Sequence, residues 1–157
     1  MRSIFFVLLV AWALAGCGAG FAIEHPADFV VLEDASSEGR GYALRATSAD
    51  GVVLAVRALD NERHGSRDFW VEAIRNRLRR DRGYALTSES EVSAASGERG
   101  HQMRFGHDDA SGRPYVYWVT VFVTDARIFV VEAGGRRDRF EPATAEVERA
   151  LGTFRID

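Results

Sequence analysis

The sequence predicts an α+β domain with an antiparallel β-sheet of six to eight strands and two main helices. Short β-rich runs separated by short turns fill most of the chain, and turns of that length join antiparallel neighbours. Two other segments repeat apolar residues at helical spacing, which indicates two helices. No repeat or low-complexity stretch follows the first hydrophobic run, so the remainder is expected to form one domain of ordinary size.

The first half of the domain is predicted to contain three strands followed by a helix. Asp50-Gly51 supplies the positive-φ position of a tight hairpin turn. Ser66 belongs to the residue types that cap a helix at its start, and Gly83 to those that end one. The predicted elements are strands at Phe29–Leu32, Tyr42–Thr47 and Val52–Leu59 and a helix over about Ser66–Arg82.

After Gly83 the hydrophobic pattern changes to period two. The run Tyr115–Val123 is apolar on both faces, so this strand is expected to be covered on both sides. The segment Gly134–Arg139 is polar and charged and is predicted to be a loop. A closing helix is predicted over about Pro142–Leu151, because proline suits the first turn of a helix. The predicted strands of this half are Tyr84–Val92, His101–His107, Pro114–Thr124 and Arg127–Ala133.

The element order has a counterpart among known families. It consists of a proline-containing first strand, a glycine-bearing hairpin, one helix, a four-strand meander and a final helix followed by Thr153–Ile156, with Gly83-Tyr84 and Gly97–Gly100 at matching places. From about Phe21 to Ile156 the chain resembles the PsbP-like fold. That group contains an extrinsic protein of the photosynthetic oxygen-evolving complex, a eukaryotic Ran-binding protein and many small bacterial lipoproteins. The resemblance implies an α/β/α sandwich that acts as a binding or assembly module without a shared catalytic centre.

The first hydrophobic run ends in Leu14–Cys17, and Cys17 is the only cysteine of the chain. A short basic start and an apolar segment much shorter than the roughly 20 residues of a membrane-spanning helix are typical of an export signal. Leu14–Cys17 also resembles the bacterial lipobox, in which the cysteine thiol receives a diacylglycerol and the chain is cut just before it. The resemblance implies a signal peptide over residues 1–16, a lipidated cysteine and short tether over 17–22, and a single α+β domain over 23–157.

Ordinary secretion is the alternative interpretation of this segment. Cleavage would then follow Ala22, because Gly20 and Ala22 place small residues at the two positions that matter. By either route the exported domain has no second cysteine for an internal disulfide, so it must be stabilised by its core. By resemblance to lipoprotein sorting, Gly18 in place of an aspartate favours the outer membrane, with the domain facing the periplasm.

Neither the composition nor the motifs of the sequence indicate a catalytic site. With 20 basic and 23 acidic residues, a net charge of −3 gives no reason to expect a nucleic-acid partner. The chain has no Gly-x-Ser-x-Gly motif, phosphate-binding loop or metal-ligand cluster, so no catalytic residue, metal or cofactor is predicted. His101 and His107 lie on one predicted strand, about 20 Å apart, too far to share an ion. His25 and His64 fall in separate loops.

Two segments are candidates for interaction. Arg75, Arg79 and Arg82 share one face of the predicted helix at i, i+4 and i+7. They can contact anionic headgroups, at about 1 kcal/mol for each basic residue near the surface, or dock an acidic partner. A solvated outer face of the helix is the simpler interpretation. The loop Gly134–Arg137 offers glycine amides and guanidinium groups to an anion, although a charged connector is the commoner explanation.

The strand that begins at Pro114 is rich in aromatic side chains. Alternation places Tyr115 and Tyr117 on one face and Trp118 and Phe122 on the other. Packing in the core is the default for such a strand, and a ligand-lined cleft is the alternative.

The predicted function is a non-enzymatic binding or assembly module, held at a bacterial envelope membrane by a lipid on Cys17, with an unknown envelope protein as its partner. A soluble periplasmic or secreted protein that binds a small ligand near the aromatic strand is the second hypothesis. The third is a hydrolase whose catalytic groups come together only in three dimensions.

Overall fold

The computed structural model describes residues 20–32 and 41–157, so Cys17 lies outside the described residues. The described residues form a seven-stranded sheet, a two-stranded sheet and two α-helices, which confirms the predicted α+β class. In chain order the elements are β1 (Phe21–Ala22), β2 (Val30–Val31), β3 (Leu44–Thr47), β4 (Val53–Asp60), α1 (Arg67–Asn76), β5 (Ala85–Ser93), β6 (Arg99–Asp108), β7 (Pro114–Val123), β8 (Arg127–Arg136), α2 (Arg137–Gly152) and β9 (Arg155–Ile156).

The large sheet has the strand order β2-β3-β4-β8-β7-β6-β5, and its neighbours pair antiparallel. Helix α1 packs on one face, where Val71 joins a buried cluster with Val119 and Val121 of β7. Helix α2 packs on the other face, where Phe140 meets Trp118 of the same strand. From Trp118 to Phe122, strand β7 is therefore covered on both sides, as predicted, and the domain is an α/β/α sandwich.

Strands β1 and β9 close the α2 side of the sandwich. Phe21 pairs with Ile156, is 1% exposed, and stacks on the ring of Phe154 at 5.9 Å between centroids. The amide of Asp157 also donates to the carbonyl of Gly20, at 3.1 Å. The predicted tether thus contains residues of the folded core, and the domain begins at least two residues before the predicted start at residue 23.

The first helix begins as predicted but changes geometry before its end. Ser66 caps it, because the Ser66 hydroxyl accepts a hydrogen bond from the amide of Phe69 at 3.2 Å. From Arg77 to Asp81 the backbone forms a π-helical turn, hereafter the π turn. Gly83 then adopts φ +70°, which confirms it as the stop signal. The wider π geometry alters which side chains share a face of the helix.

The predicted loop over Gly134–Arg139 is wrong. Gly134 and Gly135 continue β8, opposite Tyr117 and Val116 of β7, and α2 begins directly at Arg137. The charged residues that suggested a loop are the exposed end of a strand and the first turn of a helix. Because the glycine amides lie within a strand ladder, the segment does not form the anion-binding loop considered above.

Candidate functional site

Helix α1 leaves part of its sheet face uncovered. Where the π turn passes over the sheet, a cleft of about 420 Å³ remains between the turn and strands β4, β7 and β8. This volume lies within the range of small-ligand sites. Most of the wall is apolar and consists of Leu59, Trp70, Ile74, Leu78, Val119, Ile128 and Val130.

The floor of the cleft carries an ion pair within the sheet. Glu132 of β8 is 9% exposed, and its Oε1 accepts from Nε of Arg57 on β4 at 2.9 Å. The Arg57 guanidinium also lies 3.9 Å from the centre of the Tyr42 ring. Removing a carboxylate from water is costly unless a partner compensates it, so Arg57 and Glu132 depend on each other.

Two tyrosines beside this pair are held in their neutral form. Burial raises the pKa of Tyr117 well above its ordinary value, and the negative charge of Glu132 raises it further. The pKa of Tyr42 is raised by the same two causes in the same order. Both phenol groups therefore remain hydrogen-bond donors at any physiological pH, and Tyr117, which lines the cleft, places a donor beside the Arg57–Glu132 ion pair.

The mouth of the cleft is basic. Arg77 and Arg82 line it, and among the residues that the structure describes neither has a carboxylate partner. Arg79 lies instead beside a separate shallow hollow next to Gly83. Arg75 is committed to strand β5, because its Nη2 lies 2.8 Å from Oε2 of Glu89. The structure therefore gives Arg75, Arg79 and Arg82 three different surroundings, and their role as a docking face stays a prediction.

The cleft continues into a second hollow of about 270 Å³ that shares Tyr84, Tyr117 and Glu132 with it. Here the rings of Tyr84 and His107 lie 4.4 Å apart, and the rings of His107 and Tyr115 lie 5.4 Å apart. The sheet beneath lacks side chains at Gly134, where a Cβ would come within 2.9 Å of a β7 carbonyl. Because Gly134 of β8 has no side chain, the rings of Tyr84, His107 and Tyr115 remain open to the hollow.

The alternation predicted for β7 is confirmed. Tyr115 and Tyr117 face the cleft and its extension, whereas Trp118 and Phe122 are buried on the α2 side. One strand thus supplies both the core and the wall of a cleft.

Comparison with known proteins rests on structure alone, because no protein-family model and no curated protein matches the sequence. The solution structure of cyanobacterial PsbP (CyanoP) from Synechocystis sp. PCC 6803 matches 98% of this chain and 99% of its own, with a TM-score of 0.63 and 10% identity. LpqN, a Mycobacterium tuberculosis protein involved in cell envelope biogenesis, matches 87% of this chain and 82% of its own, with a TM-score of 0.68 and 12% identity. The fold is PsbP-like.

A Bacteroides thetaiotaomicron protein shares the PsbP-like fold more distantly. It matches 88% of this chain but 45% of its own, with a TM-score of 0.54 and 16% identity. At such identities the likeness establishes the fold, and function has to be argued from the site.

The four histidines of this PsbP-like domain have separate hydrogen-bond partners. His25, His64 and His107 each direct Nδ1 to a backbone carbonyl, of Pro26, Asp125 and Asp108 respectively. His101 lies between two carboxylates, with Nδ1 2.8 Å from Glu91 and Nε2 3.2 Å from Glu89. Within residues 20–32 and 41–157, no group of three or more His, Cys, Asp or Glu residues is placed to hold a metal ion.

Three residues of structural weight were missed by the sequence analysis. Glu132 and Arg57 were visible as lone charges in apolar runs, but their pairing joins strands 75 positions apart in sequence. Asn61 is 2% exposed, and its side chain bonds to Gly65, Trp70 and the carbonyl of Thr124. It fixes the start of α1 to the β7–β8 turn, a role that only the tertiary fold creates.

Proposed function

We propose that this protein is a lipoprotein of the bacterial cell envelope, anchored through Cys17, whose PsbP-like domain acts as a non-enzymatic binding or assembly module. The observation that carries the proposal is the position of β1. Its first residue, Phe21, is a core residue only four positions after Cys17.

The position of β1 separates the two cleavage sites that the sequence leaves open. A cut after Ala22 would remove all of β1, including the Phe21 ring that contacts Phe129 and Phe154. Loss of a buried phenylalanine side chain alone costs about 3–5 kcal/mol, a large part of the roughly 5–15 kcal/mol that stabilises a domain. A cut before Cys17 leaves the strand intact. The core therefore favours processing at the lipobox.

The same position limits how far the domain stands from its anchor. Gly18, Ala19 and Gly20 are the residues between Cys17 and β1. Because an extended chain spans at most about 3.6 Å per residue, β1 would lie within roughly 15 Å of the lipidated cysteine. The domain would thus be held close to the membrane with its β1–β9 side nearest the lipid.

Further support comes from the neighbours and from the site. LpqN shares the fold and is involved in cell envelope biogenesis, and no helix among residues 20–32 and 41–157 is long and apolar enough to cross a membrane. Within the described residues, each histidine ring hydrogen-bonds to a backbone carbonyl or a glutamate rather than to a serine, threonine or cysteine side chain. Gly18 favours the outer membrane, with the domain facing the periplasm. An acidic envelope protein remains our proposed partner for the arginines of α1 and the π turn.

The test is the behaviour of two variants in the native host. Cys17→Ala should abolish labelling by radioactive palmitate and release the protein from the membrane fraction. Ala22→Glu blocks the alternative cleavage site and is the matched control, because the proposal predicts normal labelling and membrane retention for it. Labelling that survives Cys17→Ala, or export that fails in Ala22→Glu, would contradict the anchor.

The open cleft favours one alternative, a soluble periplasmic or secreted protein that binds a small ligand. This alternative predicts a mature chain that begins after Ala22 and remains in the soluble fraction. The two functions therefore differ in location rather than in the use of the cleft. A hydrolase is the third candidate, and it requires a nucleophile within hydrogen-bond reach of a histidine.

A further inference from the structure

We propose that the cleft beneath the π turn binds an anionic amphiphile, with the anionic group held by Arg77 and Arg82 and the apolar body lying against the walls of the cleft. The inference uses the cleft alone and does not depend on the lipid anchor.

The π turn brings the two arginines together. Arg77 and Arg82 are five residues apart, which would place their side chains about 140° apart around an α-helix. A π-helical turn closes its hydrogen bonds between residues i and i+5, so it aligns these two positions on one side. Both arginines line the mouth of the cleft, whereas Arg79 and Arg80 line the hollow beyond it. The local geometry thus concentrates positive charge at one opening.

The charges at the opening select an anion. The whole chain carries a net charge of −3, yet the cleft contains Arg57, Arg77 and Arg82 against the single carboxylate of Glu132. Glu132 is already paired with Arg57. The charge of Arg77 and Arg82 is therefore left for a ligand, and two guanidinium groups match the oxygens of a phosphate or carboxylate.

The walls select an apolar body. Leu59 of β4 is 43% exposed in the wall of the cleft, although it lies beside the buried residue Ile128 of β8. A leucine side chain on this sheet face would normally be covered. Ile74 and Leu78 cover the opposite side, and Trp70 lies at the α1 end. A small hydrophilic anion would leave these surfaces in contact with water, whereas an alkyl chain would cover them. Apolar walls with a basic mouth are therefore complementary to an amphiphile with an anionic head.

The test uses the soluble chain from Gly18 onward. The core residues that the structure describes lie between Phe21 and Phe154, so this chain contains all of them. It contains two tryptophans, of which Trp70 lines the cleft and Trp118 is 5% exposed on the opposite face. Tryptophan fluorescence and calorimetry follow binding of dodecyl phosphate, dodecanoate, dodecyl maltoside and inorganic phosphate. The three dodecyl compounds are used below their critical micelle concentrations.

Dodecyl phosphate or dodecanoate should bind at least about tenfold more tightly than dodecyl maltoside and inorganic phosphate. The more tightly bound of the two anionic amphiphiles shows whether the natural ligand carries a phosphate or a carboxylate group. Replacing Arg77 and Arg82 by glutamine should weaken binding at least about tenfold, and Leu59→Gln should weaken the amphiphile without changing inorganic phosphate. The matched control replaces Arg79 and Arg80 by glutamine, which removes the same charge from the same turn.

Three results would overturn the proposal. The first is no measurable binding of either anionic amphiphile to a folded protein. The second is equal weakening by the two arginine pairs, which would indicate attraction by surface charge alone. The third is inorganic phosphate binding as tightly as dodecyl phosphate, which would leave the apolar walls without a role.

Discussion

On the α2 side of the large sheet, four phenylalanine rings meet in a closed cluster, whereas on the α1 side part of the sheet is left open around an ion pair. The closed cluster consists of Phe21, Phe122, Phe129 and Phe154. The open part contains Arg57, Glu132 and Tyr117. The difference indicates that one face stabilises the domain and that the other is available for binding.

The geometry of the two helices explains the difference. Helix α2 has 16 residues and is extended across the sheet by β1 and β9, whereas α1 has 10 residues and ends in the π turn. The end of β7 that carries Tyr115 and Tyr117 therefore lies beyond the cover of α1. Polar and aromatic side chains replace aliphatic ones where the cover ends.

The largest expected effect is the loss of stability when an aromatic ring of the closed face is removed, compared with the loss when a ring of the open face is removed. Phe154 is fully buried and contacts three other phenylalanine rings, so Phe154→Ala should lower the free energy of unfolding by about 3–5 kcal/mol. Tyr115→Ala, on the open face, should lower it by less than about 1 kcal/mol. Urea unfolding of both variants measures the comparison. Equal losses would mean that the open face is also part of the core.

Much of this architecture could be predicted from the sequence, because its signals are local. The turn at Gly51, the cap at Ser66, the stop at Gly83 and the two-sided burial of β7 depend on residue type and periodicity. Strands β1 and β9 could not be predicted in this way. They have two residues each and pair across almost the whole chain.

The site was harder to predict than the fold. Tyr115 and Tyr117 were assigned to one face correctly, but the cleft that Tyr117 lines forms only where the π turn passes over the sheet. Backbone geometry of that kind depends on tertiary packing. The same turn gives Arg75, Arg79 and Arg82 different surroundings, because the predicted i, i+4, i+7 alignment assumed an unbroken α-helix.

A smaller loss of stability is expected at acidic pH, from two carboxylates on the α1 side of the sheet. Hydrogen bonds from His101, together with nearby arginines, hold the pKa of Glu89 and of Glu91 below the usual range. The unfolded chain therefore takes up protons first, and the stability from these groups is lost as pH falls below about 4.5. Replacing both by glutamine should flatten the decline of Tm between about pH 5 and pH 3. Because both carboxylates are exposed, the change should not exceed about 3 °C.

Glu148→Gln is the matched control for this experiment, since it removes a carboxylate that pairs with Arg104 on the α2 side. A pH profile of the double variant that coincides with the native profile would show that the ion pairs holding α1 to β5 contribute no stability.

The smallest effect on stability is expected for the arginines. Replacing Arg75, Arg79 and Arg82 by glutamine should change the free energy of unfolding by no more than about 1 kcal/mol, because the one ion pair lost, Arg75–Glu89, is partly exposed. Association with an acidic envelope partner should weaken, and the difference should shrink at high salt. Affinity purification from solubilised membranes at two salt concentrations measures it. If the variant captures the same proteins as the native chain, these three arginines do not dock a partner.

The anchor is tested most directly by the chemical identity of the mature N-terminus. Mass spectrometry of the protein purified from its native host should find an N-terminal peptide that begins at Cys17 and carries acyl chains, followed by an intact β1. An unmodified peptide that begins at Ile23 would contradict the account, because it would mean that the domain folds without Phe21 and that no lipid holds it at the membrane.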